Sequence, residues 1–241
     1  RQHIITTHSP TLAKTFFDPQ EHLNYLAKDD DGNVTRIKKD KCDLIAVLTD
    51  NIWNISDQNT FLASTKPITL LVEGKTDKIH IEEAFRRLKC DYPELDFDIY
   101  HFGGATNIPQ FMIGLKTCEI DFSNRVIIAI FDNDKEGGDC CNQTQVKYTK
   151  GKRNKYGLYA LTLPLKSYGT IENMYDQSKY DTAFKTVVSR IAFSGMVSEY
   201  AEIITKQAKI ELSNNVQEFT DNDFNRFKSL FDLIQEIKQL I

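Results

Sequence analysis

Residues 125–131, RVIIAIF, are the most apolar run in the chain, and they show no alternation. A strand with one wet face alternates apolar and polar residues, so an unbroken run reads as a parallel strand buried on both faces. Strand-like and helix-like segments alternate around it. ITLLVE (68–73) follows Pro67, which suits a strand start. DKIHIEEAFRRLK (77–89) is amphipathic, with Ile79, Ile81, Ala84, Phe85 and Leu88 as its apolar set. FDIYHF (97–102) reads as a strand, IPQFMIGLKTCEI (108–120) as a helix and LYALTLP (158–164) as a last strand. Such alternation predicts an α/β fold with a parallel sheet flanked by helices, followed by a helical segment from Tyr180 onward. In sheets of this kind ligands collect at the carboxyl ends of the strands.

Acidic residues stand at two of those ends. Glu73 closes the first strand and Asp77 follows at a helix start, while Asp132 and Asp134 follow the apolar run. The intervening Gly74-Lys75-Thr76 imitates a phosphate loop, but that motif needs a glycine five positions earlier, where Thr69 stands. Carboxylates that converge repel one another unless a cation lies between them, and burial without one raises their pKa values. Magnesium is held by a few oxygen ligands and keeps several waters. The four acids therefore predict a metal site, and two ions roughly 3.5–4 Å apart suit phosphodiester cleavage. Taken singly, Asp77 reads as a helix cap and Asp-x-Asp as a solvated turn. Gly137 and Gly138 are expected to bend the chain after Asp134, and Gly74 to permit a tight turn.

The 241 residues suffice for one good core or two small ones. A net charge of −4 excludes a uniformly basic nucleic-acid binder, though not a local patch. One such patch is the run Lys147, Lys150, Lys152, Arg153 and Lys155, interleaved with Tyr148 and Tyr156. Lys150, Lys152 and Arg153 are its candidate DNA contacts, against the alternative of a solvated loop. Five cysteines without a C-x-x-C pair argue against a disulfide framework or cysteine zinc site and favour a reducing cytoplasm. No apolar run approaches a membrane span. Cys140 and Cys141 read as small fillers at a helix start, and the stripe Phe224, Phe227, Leu230, Phe231, Ile234, Ile237 as core or interface. DDDGN, between EHLNYLAK and NVTRIKK, signals a hairpin.

VEGKTD followed by FDNDKEG resembles the topoisomerase–primase (Toprim) domain, over residues 66–175. Upstream, IITTHSP resembles the switch-histidine loop of ABC-type ATPases, which would make His8 a γ-phosphate sensor. An ABC-type ATPase running into a Toprim domain is the plan of the overcoming-lysogenization-defect (OLD) nuclease family, which includes Gabija-type and retron-associated anti-phage effectors. The chain, opening at Arg1 on a strand-like segment, resembles the C-terminal part of such a protein. That resemblance implies residues 1–17 as an ATPase remnant, 18–65 as a hairpin-and-helix connector, 66–175 as the Toprim nuclease and 176–241 as its helical C-terminal part.

It further implies metal binding by Glu73, Asp77, Asp132, Asp134 and Glu172, with Glu73 also orienting or deprotonating the attacking water. A catalytic lysine is implied at Lys209, or alternatively Lys206. The implied cofactors are two Mg²⁺ or Mn²⁺ ions, with ATP at the upstream ATPase domain. DNA is the implied substrate, with homodimeric or tetrameric self-association and a defence partner protein or retron RNA/DNA as further partners. Another Toprim enzyme, topoisomerase- or primase-like, and a non-catalytic assembly or DNA-sensing module are the alternatives.

Overall fold

The computed structural model describes residues 25–28, 34–37, 49, 60–117, 125–190 and 197–240. His8, Cys42 and Cys118 lie outside them, as does most of the hairpin-and-helix connector expected at 18–65. β1 (Tyr25–Lys28) and β2 (Val34–Ile37) pair antiparallel, forming the expected hairpin.

The main sheet holds β3 (Ile68–Val72), β4 (Phe97–His101), β5 (Val126–Phe131) and β6 (Leu158–Thr162) in the order β4-β3-β5-β6. All its pairings are parallel. β3 and β5 are buried at every position, as their unalternating sequences require. Successive side chains nevertheless serve opposite faces. Leu70, Val72, Ile128 and Ile130 join one core, whereas Leu71, Ile127, Ala129 and Phe131 join the other.

Helices cover both faces. α1 (Lys75–Leu88) packs on the first core, and α2 (Asn107–Thr117) and α3 (Lys135–Gln143) on the second. α4 (Gln177–Arg190), α5 (Val197–Asn215) and α6 (Lys228–Lys238) form the C-terminal layer. The aromatic-aliphatic stripe expected as core or interface is core: Phe224, Phe227, Leu230, Phe231, Ile234 and Ile237 are all fully buried in the first cluster.

α1 differs from its sequence reading on one point. Ile79 is 39% exposed, while the polar His80 and Glu83 are buried on the inner face. Glu83 is satisfied there by Arg86 and Arg87, and Arg87 reaches on to Asp221 and the Gln217 carbonyl. A buried acid with cationic partners ties α1 to the C-terminal layer, so pattern alone finds the apolar part of that face, Ile81, Ala84, Phe85 and Leu88, but not its polar members.

Candidate metal centre

β3 and β5 are neighbours, so the residues that follow them emerge side by side at the carboxyl edge. Glu73 and Asp132 are joined directly there: the Asp132 N–H donates to Glu73 Oε1 at 2.8 Å. The β4–α2 loop supports the same position, with the Gly104 N–H donating to the Glu73 carbonyl at 2.9 Å. Gly103 takes a left-handed conformation, φ +68°, to make that turn. Glu73, Asp77 and Asp132 line a crevice floored by Val72, Ile130 and Phe131.

Two of the acids also have local capping roles, though not the ones foreseen: Asp77 sits at the third helical position with Gly74 as the N-cap, and Asp134, expected in a solvated turn, is itself a cap. Asp77 Oδ2 accepts the Gly74 N–H at 2.7 Å and closes the first turn of α1. Asp134 caps α3, accepting the Gly137 N–H at 2.7 Å. The glycines depart from expectation. Gly74 is extended, with φ −124°, rather than in a tight turn that only glycine could make. Gly137 and Gly138 lie inside α3 instead of bending the chain. Gly137 is needed for closeness, because a Cβ there would fall on the Asp132 carbonyl oxygen. Cys140 and Cys141 are buried, but in the second half of α3 rather than at its start.

Glu172 comes after β6 in the chain, in a 3-10 turn spanning Ile171–Met174. It is 5% exposed. Lys209 of α5 pairs with Glu172 Oε2 at 3.1 Å, and the Thr170 hydroxyl donates to the same oxygen. Glu172 Oε1 is buried without a hydrogen-bond partner. The structure separates the two candidate lysines: Lys209 is half-buried against the acids, whereas Lys206 lies exposed on α5. Among the described residues, no hydrogen bond or ion pair joins Lys150, Lys152 or Arg153 to the carboxylates. Their loop flanks the outer edge of β6 and rejoins the sheet at Gly157, whose carbonyl accepts from Ile127 at the amino edge.

The electrostatics are those of acids lacking a counter-charge. Burial, reinforced by Glu73, Asp77 and Glu172, pushes Asp132 up to about 8. Burial raises Glu73 to about 7 despite the Asp132 N–H bond, with Asp77 and Asp134 adding repulsion. Asp77 rises to about 6, chiefly by burial, although its bond from Gly74 opposes this. Lys209 is held above the ordinary lysine range: burial opposes its charge, but Glu172, Asp132 and Asp77 outweigh that. As they lie, no three acidic, histidine or cysteine side chains among the described residues enclose one point closely enough to hold an ion. The acids line the crevice rather than close on it. The donor set still fits a hard cation, since one or two carboxylates with waters suffice for magnesium. The raised carboxyls and the orphaned Glu172 oxygen are what such a charge would relieve.

Sequence reasoning missed the residues that hold Glu172 in place. Asn133, between the two aspartates, exchanges backbone hydrogen bonds with Gly169, both 2.8 Å. Its side-chain amide donates to the Leu165 and Ser167 carbonyls at 3.1 and 3.0 Å. On the other side, His80 Nδ1 contacts the Tyr175 hydroxyl at 3.0 Å. Burial drives His80 down to about 4, so the ring is neutral at pH 7. Arg226 donates to the Tyr175 carbonyl at 2.8 Å and to Asp176 at 2.7 Å. Only the capping pattern Thr170-Ile-Glu-Asn hints at this turn in the sequence.

Residues 68–134 match the family model described as "Overcoming lysogenization defect protein-like, TOPRIM domain". No curated protein matches the chain. Two solved structures are similar to it. The C-terminal region of the Burkholderia pseudomallei OLD protein aligns at a TM-score of 0.41 and 14% identity, covering 71% of this chain and 100% of that one. The corresponding region of the Xanthomonas campestris pv. campestris OLD protein aligns at 0.40 and 8%, covering 73% and 95%.

Proposed function

The chain carries, over residues 68–134, an overcoming-lysogenization-defect-type Toprim domain, and from that premise we propose that it is a divalent-metal-dependent nuclease. The observation carrying this reading is the joint between Glu73 and Asp132: two carboxylates at adjacent strand ends, linked through the Asp132 amide and held uncomfortably near neutrality. Asp77, Asp132, Asp134 and Glu172 would share the ions with Glu73.

A bound divalent cation supplies charge neutralisation at the phosphoryl oxygens and a more acidic water. The chain's own groups supply the rest. Glu73, ionised once a cation relieves its raised carboxyl, can orient the attacking water and accept its proton. Lys209, kept charged by Glu172, can stabilise the negative charge developing on the phosphoryl oxygens. In hydrolysis the water oxygen bonds to phosphorus, the bridging P–O bond breaks, and the leaving oxygen takes up a proton.

The remainder of the reading rests on the resemblance of the sequence motifs alone. That remainder comprises DNA as the substrate, control by an ATPase domain that binds ATP near His8, self-association, and a cytoplasmic role in anti-phage defence. No helix among the described residues is long and apolar enough to cross a membrane. Plasmid cleavage by the intact protein with Mg²⁺ or Mn²⁺, and its loss in EDTA, tests the core of this reading. Glu73→Ala and Asp132→Ala should each abolish cleavage, and undiminished cutting by either would overturn the site assignment.

A further inference from the structure

Tyr168 is 81% exposed, far more than any other exposed large hydrophobic residue described. One exposed aromatic ring is ordinary on a surface; what sets this one apart is how firmly its loop is held next to Asn133. The loop is not slack around it. The Asn133 amide holds the Ser167 carbonyl on one side, and the Asn133 backbone exchanges two hydrogen bonds with Gly169 on the other. Tyr168 is therefore bracketed by the residue that separates Asp132 from Asp134. Gly169 also packs closely on the following turn, where a Cβ would press on the Asn173 side chain at 2.7 Å. Lys166 and Ser167 are exposed in the same loop, and Lys166 makes no ion pair among the described residues.

We propose that Lys166 and Tyr168 form a nucleic-acid contact at the rim of the acidic crevice, with Lys166 on a backbone phosphate and Tyr168 stacked on a base. This deepens the nuclease reading and rests on it. A cation and an aromatic ring two residues apart match the alternation of phosphate and base along a strand, and stacking tolerates any sequence because every base has a π-face. A duplex hides its bases' faces, so the ligand class is single-stranded or end-frayed nucleic acid. The clip at Asn133 keeps this contact in fixed register with the carboxylates, which lets binding position the scissile phosphate.

The test uses the intact protein, with fluorescein-labelled single-stranded and blunt duplex oligonucleotides. Binding is read by anisotropy in EDTA, and cleavage by gel in Mn²⁺. Tyr168→Ala should weaken single-strand binding about 5- to 150-fold and raise KM in step, with kcat little changed and duplex binding less affected. Tyr168→Trp should restore binding. Lys166→Ala should lower the slope of log K against log salt by about 0.7. Wild-type affinity and KM in Tyr168→Ala, or failure of Tyr168→Trp to restore them, would overturn the proposal while leaving the nuclease reading intact. Absence of both binding and cleavage in the wild type would overturn the nuclease reading and this contact together.

Discussion

At the residue scale, backbone amides fix three of the site's carboxylates, Glu73, Asp77 and Asp134, while Lys209 and the Thr170 hydroxyl hold Glu172. Lys209 and Lys206 provide the sharpest contrast, because they sit three residues apart on one helix and only Lys209 reaches Glu172. Lys209→Met should lower kcat about 10²- to 10³-fold, the usual cost of losing a donor aimed at developing charge. Lys206→Met should stay near wild type, and single-turnover cleavage rates compare the two. Gly137→Ala should destabilise by about 1–3 kcal/mol, since the added methyl falls on the Asp132 carbonyl oxygen and the turn must shift. Urea unfolding measures that loss. Glu73, Asp77, Asp132 and Asp134 were legible in the sequence because each follows a recognisable strand. Asn133 was not, because a side chain that clips a loop more than thirty residues away leaves no local pattern.

At the scale of elements, the parallel strands were readable from composition alone. β5 carries an unbroken apolar run and β3 one interrupted only at Thr69, and the structure buries each of their residues. α1 was readable in extent and in most of its facing, since Ile81, Ala84, Phe85 and Leu88 pack on the first core; only Ile79 faces outward, and the polar His80 and Glu83 join the inner side. Those polar residues are held by partners, Tyr175 at His80 Nδ1 and, for Glu83, two arginines, one of which is itself anchored on the C-terminal layer, while His80 Nε2 is buried without a hydrogen bond. Contacts with such distant segments are invisible to a local window. The Glu172 turn depends on the same long-range bonds. Tyr175→Phe removes the hydroxyl that meets His80 Nδ1 and leaves a buried ring nitrogen without a partner. The expected cost is about 1–3 kcal/mol. Hydrogen exchange should show faster opening of residues 170–175 in that variant, and unchanged protection there would remove His80 from the support of Glu172.

At the scale of the whole molecule, the acidic crevice couples stability to pH and metal. Asp132 near 8, Glu73 near 7 and Asp77 near 6 all stand above the ordinary carboxylate range. In the metal-free protein the fold thus holds protons that the unfolded chain releases from about pH 4 upward. Their contribution is complete below the unfolded values and is lost as pH rises through the folded ones. Metal-free Tm should accordingly fall between pH 6 and pH 8. Divalent ions compete with those protons and bind only the folded crevice, so the rise in Tm on adding Mn²⁺ should be larger at pH 8 than at pH 6. Asp132→Asn removes the most strongly raised group. It should flatten the metal-free decline and shrink the Mn²⁺ response, since a neutral amide neither titrates nor attracts the ion strongly. Scanning calorimetry of both proteins across this range decides the matter. A wild-type Tm that rises from pH 6 to pH 8 without metal would mean that the carboxyls are solvated rather than buried, and the electrostatic argument for a metal would fall with them.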